Sequence, residues 1–155
     1  MLDDRARLLD LVASLALAID MRRWDDVLDC FAPRVRVDYT SLFGGEAATL
    51  TRNDLVAGWQ GLVPGFTRTQ HTIGSVLVRV DGGGASALAP VIGHHFLTDP
   101  SPPDGDCWVV GGRYEWTFTR ADGTWRIDAM TLAAAWQQGN AALPQLARER
   151  LSASA

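Results

Sequence analysis

The stretch that decides the fold is CWVVGGRYEWTFTR (residues 107–120), followed by ADG (121–123) and TWRIDAMTLAAA (124–135). Side chains of an extended chain alternate between faces, so Gly112, Tyr114, Trp116 and Phe118 share one side of a long strand. Asp122-Gly123 is a tight-hairpin signal, and residues 124–135 read as the returning strand. The face with Tyr114 is core or pocket lining, and Gly112 is expected to leave room in it. Upstream, residues 69–80 and 86–97 read as two more strands, separated by the turn sequence Asp81-Gly82-Gly83-Gly84. That triple glycine lacks the strand-to-helix context of a phosphate cradle.

Helices precede these strands. Leu8, Leu11, Val12, Leu15 and Ile19 recur at helical spacing over residues 4–19. Leu9, Ala13 and Ala16 widen the apolar stripe, so this helix is expected to be covered on several sides. A short helix over 24–31 stops before Pro33. Residues 34–39 alternate as a half-buried strand ending at Tyr39. Thr51 reads as the N-cap of a helix running to residue 62, with Asp54 at its third position. Residues 143–151 form a closing helix with Pro144 in its first turn. Helices first and long strands afterwards define an α+β chain rather than alternating βαβ units. The expected architecture is a cone-shaped, curved antiparallel sheet wrapped around N-terminal helices, one domain over residues 1–155, with a closed-ended cavity for a small ligand.

Composition narrows the function. The chain has 155 residues, 47% of them apolar, and Lys+Arg 14 against Asp+Glu 18 gives a net charge of −4. A pI near 5.2 argues against a nucleic-acid partner. Every basic residue is Arg, which excludes Schiff-base lysine chemistry. The apolar run 8–19 is too short to span a bilayer, so the expectation is a cytoplasmic protein without a membrane partner. Cys30 and Cys107 share no motif, and no HxH, HxxxH or CxxC spacing points to a metal.

The residues able to do chemistry are few. Asp20, at the end of the first helix, is either a solvated turn residue beside Arg22 and Arg23 or a carboxylate that orients a histidine. His71 starts a strand and is either a packing residue or an acid/base group. His94 and His95 are adjacent on a strand, so at most one faces a pocket. Tyr39 shares a face with Val35 and Val37, and its hydroxyl needs a partner. Trp24, Trp59 and Trp136 read as core.

These pieces occur in a familiar order: Ala18-Ile19-Asp20, Trp24-Asp25, Phe31-Ala32-Pro33, Arg36-Val37-Asp38-Tyr39, Arg68-Thr69-Gln70-His71-Thr72-Ile73-Gly74 and Asp122-Gly123-Thr124-Trp125-Arg126. The chain resembles scytalone dehydratase over residues 8–136, and more broadly the SnoaL-like branch of the nuclear transport factor two-like superfamily. A bile-acid dehydratase and a hexachlorocyclohexane dehydrochlorinase space their Asp and His similarly. The resemblance implies a cone-shaped α+β barrel, a homotrimer, one deep pocket per subunit, and no metal or organic cofactor. It implies that Asp20 holds His71, that this pair removes a proton while a leaving group departs, and that Tyr39 donates to a substrate carbonyl. His95, Tyr114, Leu97, Phe43 and Met130 are expected against a small hydrophobic cyclic substrate. The sequence departs from scytalone dehydratase at Ile19, which stands for a tyrosine, and at Ser101, which falls where a second histidine stands. Gly112 and Tyr114 replace pocket serine and asparagine. The expected activity is therefore a cofactor-independent dehydratase of a cyclic or polyketide-like ketone. The alternatives are an isomerase or cyclase using the same proton abstraction, and a non-catalytic small-ligand-binding module.

Overall fold

A computed structural model describes residues 2–155; Met1 lies outside them. Helix α1 (Leu2–Asp20) is followed by α2 (Trp24–Asp29), strand β1 (Phe31–Asp38), the single turn α3 (Thr40–Phe43), β2 (Ala48–Thr51) and α4 (Arg52–Gln60). A 3₁₀ turn (Val63–Gly65) leads into β3 (Arg68–Ile73), β4 (Leu77–Asp81), β5 (Gly84–Phe96), β6 (Cys107–Ala121), β7 (Thr124–Gly139) and the closing helix α5 (Leu143–Ala153). The strands form one curved, unclosed sheet in the order β2-β1-β7-β6-β5-β3, with β4 sharing the β5 edge. Pairing is antiparallel except between β1 and β7, which run parallel. The α+β order read from the sequence is the observed one.

Local chemistry explains the departures in detail. Residues 69–80 are two strands rather than one, because both halves pair with β5 and meet at Pro90. Pro90 has no N–H to give a ladder. Its carbonyl accepts instead from the Gly74 N–H at 2.9 Å. A β-carbon on Gly74 would lie 2.5 Å from Pro90 Cγ, so only glycine permits this crossing. Strand β2 lies between the strand and the capped helix read from the sequence, and its register against β1 pairs Arg34 with Thr51. Thr51 does cap α4, accepting from the Asp54 N–H at 3.0 Å.

Bulges set the curvature and the parity of the inward face. The register between β6 and β7 slips at Gly111/Gly112 and at Thr117/Phe118, which leaves Ala135 and Asp128 unpaired on β7. An extra residue bends its strand and shifts the inward set by one. Trp125 and Ile127 are therefore buried before the second slip, and Met130 and Leu132 after it. The space at Gly112 is filled by this bulge and offers nothing to a ligand: a β-carbon there would lie 2.2 Å from the Ala133 carbonyl oxygen. Trp136, expected in the core, instead lies against Gly111 and keeps 43% of its surface exposed.

Helix α1 lays Leu8, Val12, Leu15, Ala18 and Ile19 into the hollow of the sheet, where Phe31, Val35, Trp116, Phe118 and Ile127 join them. Its opposite face is open in this chain, with Leu17 61% exposed, so cover comes from fewer sides than the broad stripe implies. A second cluster of Phe66, Leu97, Trp108, Val110, Leu143 and Ala147 seats α5 over the other end of the sheet. There the 3₁₀ turn and α5 touch backbone to backbone: a β-carbon on Gly65 would fall 2.1 Å from the Ala147 carbonyl oxygen. No helix among the described residues is long and apolar enough to cross a membrane.

Overpacking this seam should be costly. Gly65→Ala is expected to lower unfolding free energy by about 1–3 kcal/mol. Gly58→Ala, inside α4 with no atom within 4 Å of the added carbon, is expected to raise it by up to ~1 kcal/mol. Thermal melts followed by circular dichroism compare the two, and equal melting temperatures would contradict the close seating of α5.

Candidate active site

Asp20 closes α1, and the turn after it fixes where its carboxylate goes. Arg23 N–H returns to the Ala18 carbonyl at 2.9 Å and Arg22 N–H to the Ile19 carbonyl at 3.0 Å. This is a Schellman-type end with Arg22, at φ 57°, in the left-handed position usually held by glycine. The conformational cost of roughly 1–2 kcal/mol is offset by a bond from its guanidinium to the Phe66 carbonyl at 2.6 Å. That bond ties the helix end to the segment leading into β3.

The carboxylate thereby meets β3 with both oxygens engaged. Oδ1 accepts from Thr69 Oγ1 at 2.8 Å and pairs with His71 Nδ1 at 2.7 Å. Oδ2 accepts from the His71 backbone N–H at 2.7 Å. Both side chains are only 16% exposed. Burial alone would raise the pKa of Asp20. The ring and backbone donors of His71 and the Thr69 hydroxyl outweigh it and hold the pKa below the usual carboxylate value. An ionised Asp20 can only accept, so the proton between the pair belongs on His71 Nδ1. The lone pair of a neutral ring is then on Nε2.

His71 borders an open-mouthed cavity of about 310 Å³ lined by α3, α4, the sheet and, from α5, Arg148. Its wall is mostly apolar: Val37, Leu42, Leu55, Trp59, Val91, Trp108, Val110 and Leu132 contribute, with Tyr39, His95 and Tyr114 as the polar groups near His71. The Tyr39 and Tyr114 hydroxyls lie 3.3 Å apart. Burial pushes both phenols upward in pKa, so both remain donors at neutral pH.

His95, not His94, faces inward. Its ring stands edge-on to His71 with centroids 5.4 Å apart, between Phe66 and Trp108. Nδ1 lies 3.2 Å from the Trp108 carbonyl, which fixes that nitrogen as the donor. Burial, together with the nearby His71 ring, lowers its pKa to about 4, so His95 is neutral at physiological pH.

Gly93, directly opposite His71 in the β3–β5 register, is the residue that pattern reading missed. A β-carbon there would lie 3.1 Å from the His95 ring and 3.2 Å from the His71 ring. Glycine is what allows two imidazoles to share this patch of sheet. Its only sequence signal is its place two residues before an inward histidine.

Among the other residues expected at the site, Phe43 lines the cavity and is 53% exposed there. Leu97 does not reach it; just beyond β5 it turns under α5 into the second apolar cluster. Met130 does not reach it either. The Asp128 bulge places it behind Tyr39, with Sδ 3.9 Å from that hydroxyl, facing a separate void of about 20 Å³ beside Ile19. Ser101 lies in an exposed loop and bonds to the Thr98 carbonyl. Trp59, read as core, is part of the cavity wall. Cys30 and Cys107 are both free thiols. Among the described residues, no group of three or more His, Cys, Asp or Glu is placed to hold a metal ion.

A curved sheet folded over a long helix, with a carboxylate–imidazole pair at the inner end of an apolar hollow, defines a class of small α+β pocket proteins. Within that class, the chain belongs to the SnoaL-like domain family, whose model matches residues 1–131, and so to the nuclear transport factor two-like superfamily. It is 32% identical over 130 residues to the uncharacterized protein Rv2910c of Mycobacterium tuberculosis, covering 81% of this chain and 82% of that one. Among solved structures it is similar to the Kfla4162 protein of Kribbella flavida, with TM-score 0.85, 28% identity, and coverage of 94% and 97% of the two chains. A candidate scytalone dehydratase from Novosphingobium aromaticivorans shares the fold with TM-score 0.73 at 17% identity, over 90% of this chain and 89% of that one.

The buried imidazole gives a signed pH dependence. With a folded pKa of about 4 against ~6.5 when unfolded, His95 binds more protons in the unfolded chain between those values. Its effect on stability is absent above pH ~6.5 and unfavourable below, growing to on the order of 3 kcal/mol by pH ~4. Denaturant titrations at pH 7 and pH 4.5 should show the wild type losing clearly more stability than His95→Phe. Parallel losses would contradict the neutral, buried ring.

Proposed function

We propose that the chain is a cofactor-independent lyase that abstracts a proton beside the carbonyl of a small cyclic substrate and expels hydroxide as water. The observation that carries this is the 2.7 Å Asp20–His71 pair at the wall of an apolar cavity. Asp20 keeps the proton on Nδ1, so Nε2 is the base, and the carboxylate stabilises the imidazolium that forms. The C–H proton passes to Nε2 as the C–C double bond forms and the C–O bond breaks; the same nitrogen then returns a proton to the departing oxygen. His95, neutral and with its Nδ1–H held by Trp108, supplies no competing charge. The Tyr39–Tyr114 hydroxyl pair is suited to donate to the carbonyl oxygen as negative charge grows there.

The resemblance to scytalone dehydratase supports loss of water in particular. Isomerisation or cyclisation would use the same groups without a departing oxygen, and product mass separates these outcomes. A homotrimer in the cytoplasm is part of the same proposal. The exposed Leu77, Leu88, Ile92 and Trp136 support association of copies, and a scattering mass of one chain would remove the trimer.

In deuterium oxide, the enzyme is expected to exchange the protons next to the carbonyl of 2-tetralone, read by proton NMR, and to dehydrate a β-hydroxy derivative. His71→Ala and Asp20→Asn should each slow exchange by about 10²–10⁴-fold while the far-ultraviolet spectrum is unchanged. Wild-type exchange no faster than buffer, or full activity in His71→Ala, would overturn the reading.

A further inference from the structure

Two formally charged side chains line the cavity, Asp54 on α4 and Arg148 on α5. They are not equivalent. Asp54 is committed to its own helix: its Oδ2 accepts from the Thr51 hydroxyl at 2.7 Å, and it lies in the first turn, where the helix end favours a carboxylate. Arg148 is committed to nothing. Its neighbours on α5 have partners, Glu149 accepting from Gln145 at 2.7 Å and Arg150 reaching the Thr67 hydroxyl. Among the described residues, no carboxylate lies within ion-pair distance of the Arg148 guanidinium.

The helix that carries it is held firmly. Ala147, the preceding residue, is fully buried, and its backbone abuts Gly65 so closely that a methyl group would not fit between them. Arg148 is therefore presented to the cavity by a fixed backbone. Elsewhere the wall is apolar apart from the His and Tyr cluster. A planar guanidinium is built for bidentate contact with an oxyanion, and Arg148, exposed to solvent and also lining the apolar hollow, is free to meet a ligand that brings one.

We infer that Arg148 is a specificity-determining residue that binds an oxyanion on the substrate, so that the ligand is a compact ring compound bearing a carboxylate or phosphate. The ring lies among Trp59, Trp108 and Leu132, and the anion reaches Arg148. A hollow of about 310 Å³ is at the small end of ligand sites, which suits one or two fused rings. The inference takes the cavity of the proposed lyase as the substrate site, but binding alone tests it.

Quenching of tryptophan fluorescence, with Trp59 and Trp108 in the wall, reports binding of 2-naphthoate, 2-naphthyl phosphate and neutral methyl 2-naphthoate. The wild type is expected to bind at least one anion roughly 5- to 10-fold tighter than the ester, and the better anion identifies carboxylate or phosphate. Because Arg148 is exposed, this preference should shrink as salt is raised. Arg148→Gln should abolish it without weakening the ester, and Arg148→Lys should retain part of it. No binding by any probe, no anion preference in the wild type, or equal loss of all three in Arg148→Gln would overturn the inference. His71→Ala, titrated alongside, should keep the preference. Failure of the proton-transfer reading would thus leave this result standing, and an inactive Arg148 effect would leave that reading standing.

Discussion

A single buried carboxylate organises the functional end of this molecule. Asp20 leaves the last turn of α1 and is met by three donors from β3: the Thr69 hydroxyl, the His71 backbone and the His71 ring. Taking a carboxylate out of water is unfavourable unless its oxygens are paired, and here the pairing does two jobs. It holds the end of the helix against the edge of the sheet, and it dictates which nitrogen of His71 carries the proton. Arg22 strengthens the same junction from the other side, accepting a strained backbone to reach the Phe66 carbonyl. Stability and chemistry are thus concentrated in one contact between residues that are 51 apart in the chain.

The sheet supplies the space in front of that contact. The Pro90–Gly74 crossing divides the edge into β3 and β4, and β3 brings His71 opposite Gly93. Without a side chain on Gly93, the two imidazoles approach each other, and burial together with the nearby His71 ring keeps the second ring neutral. Bulges in β7 decide which residues look into the hollow, sending Leu132 to the cavity and Met130 to the void behind it. Helix α5, which brings Arg148 to the cavity, is seated on the 3₁₀ turn at Gly65 by close backbone contact.

Much of this is legible in the residues themselves. The alternation around Tyr114 and Trp116, the Asp122-Gly123 turn, the apolar spacing of α1 and the Thr51 cap each follow from local periodicity or turn chemistry, and each appears in the structure. The Asp20–His71 pairing is not of that kind. Nothing in the spacing of two residues so far apart brings them together, and only a family resemblance pointed to the pair. Met130, expected at the cavity from the resemblance, and Trp136, read as core, both lie elsewhere on a strand whose register slips twice, and a bulge carries no signature in a single sequence. Leu97 was misplaced for a related reason, since a strand pattern does not say where the chain leaves the sheet. Gly93 and Arg148 could not be distinguished from other glycines and arginines until the fold set them beside the histidines and the hollow.

The proposed chemistry depends on the location of one proton, and nitrogen-detected NMR of the His71 ring measures it. In the neutral ring Nδ1 is expected to carry the proton, with a downfield resonance protected from exchange, and Nε2 to be bare; the resonance should vanish in Asp20→Asn. A ring protonated on Nε2 with a bare Nδ1, or an Nδ1 proton exchanging as freely as in an unpaired histidine, would contradict it.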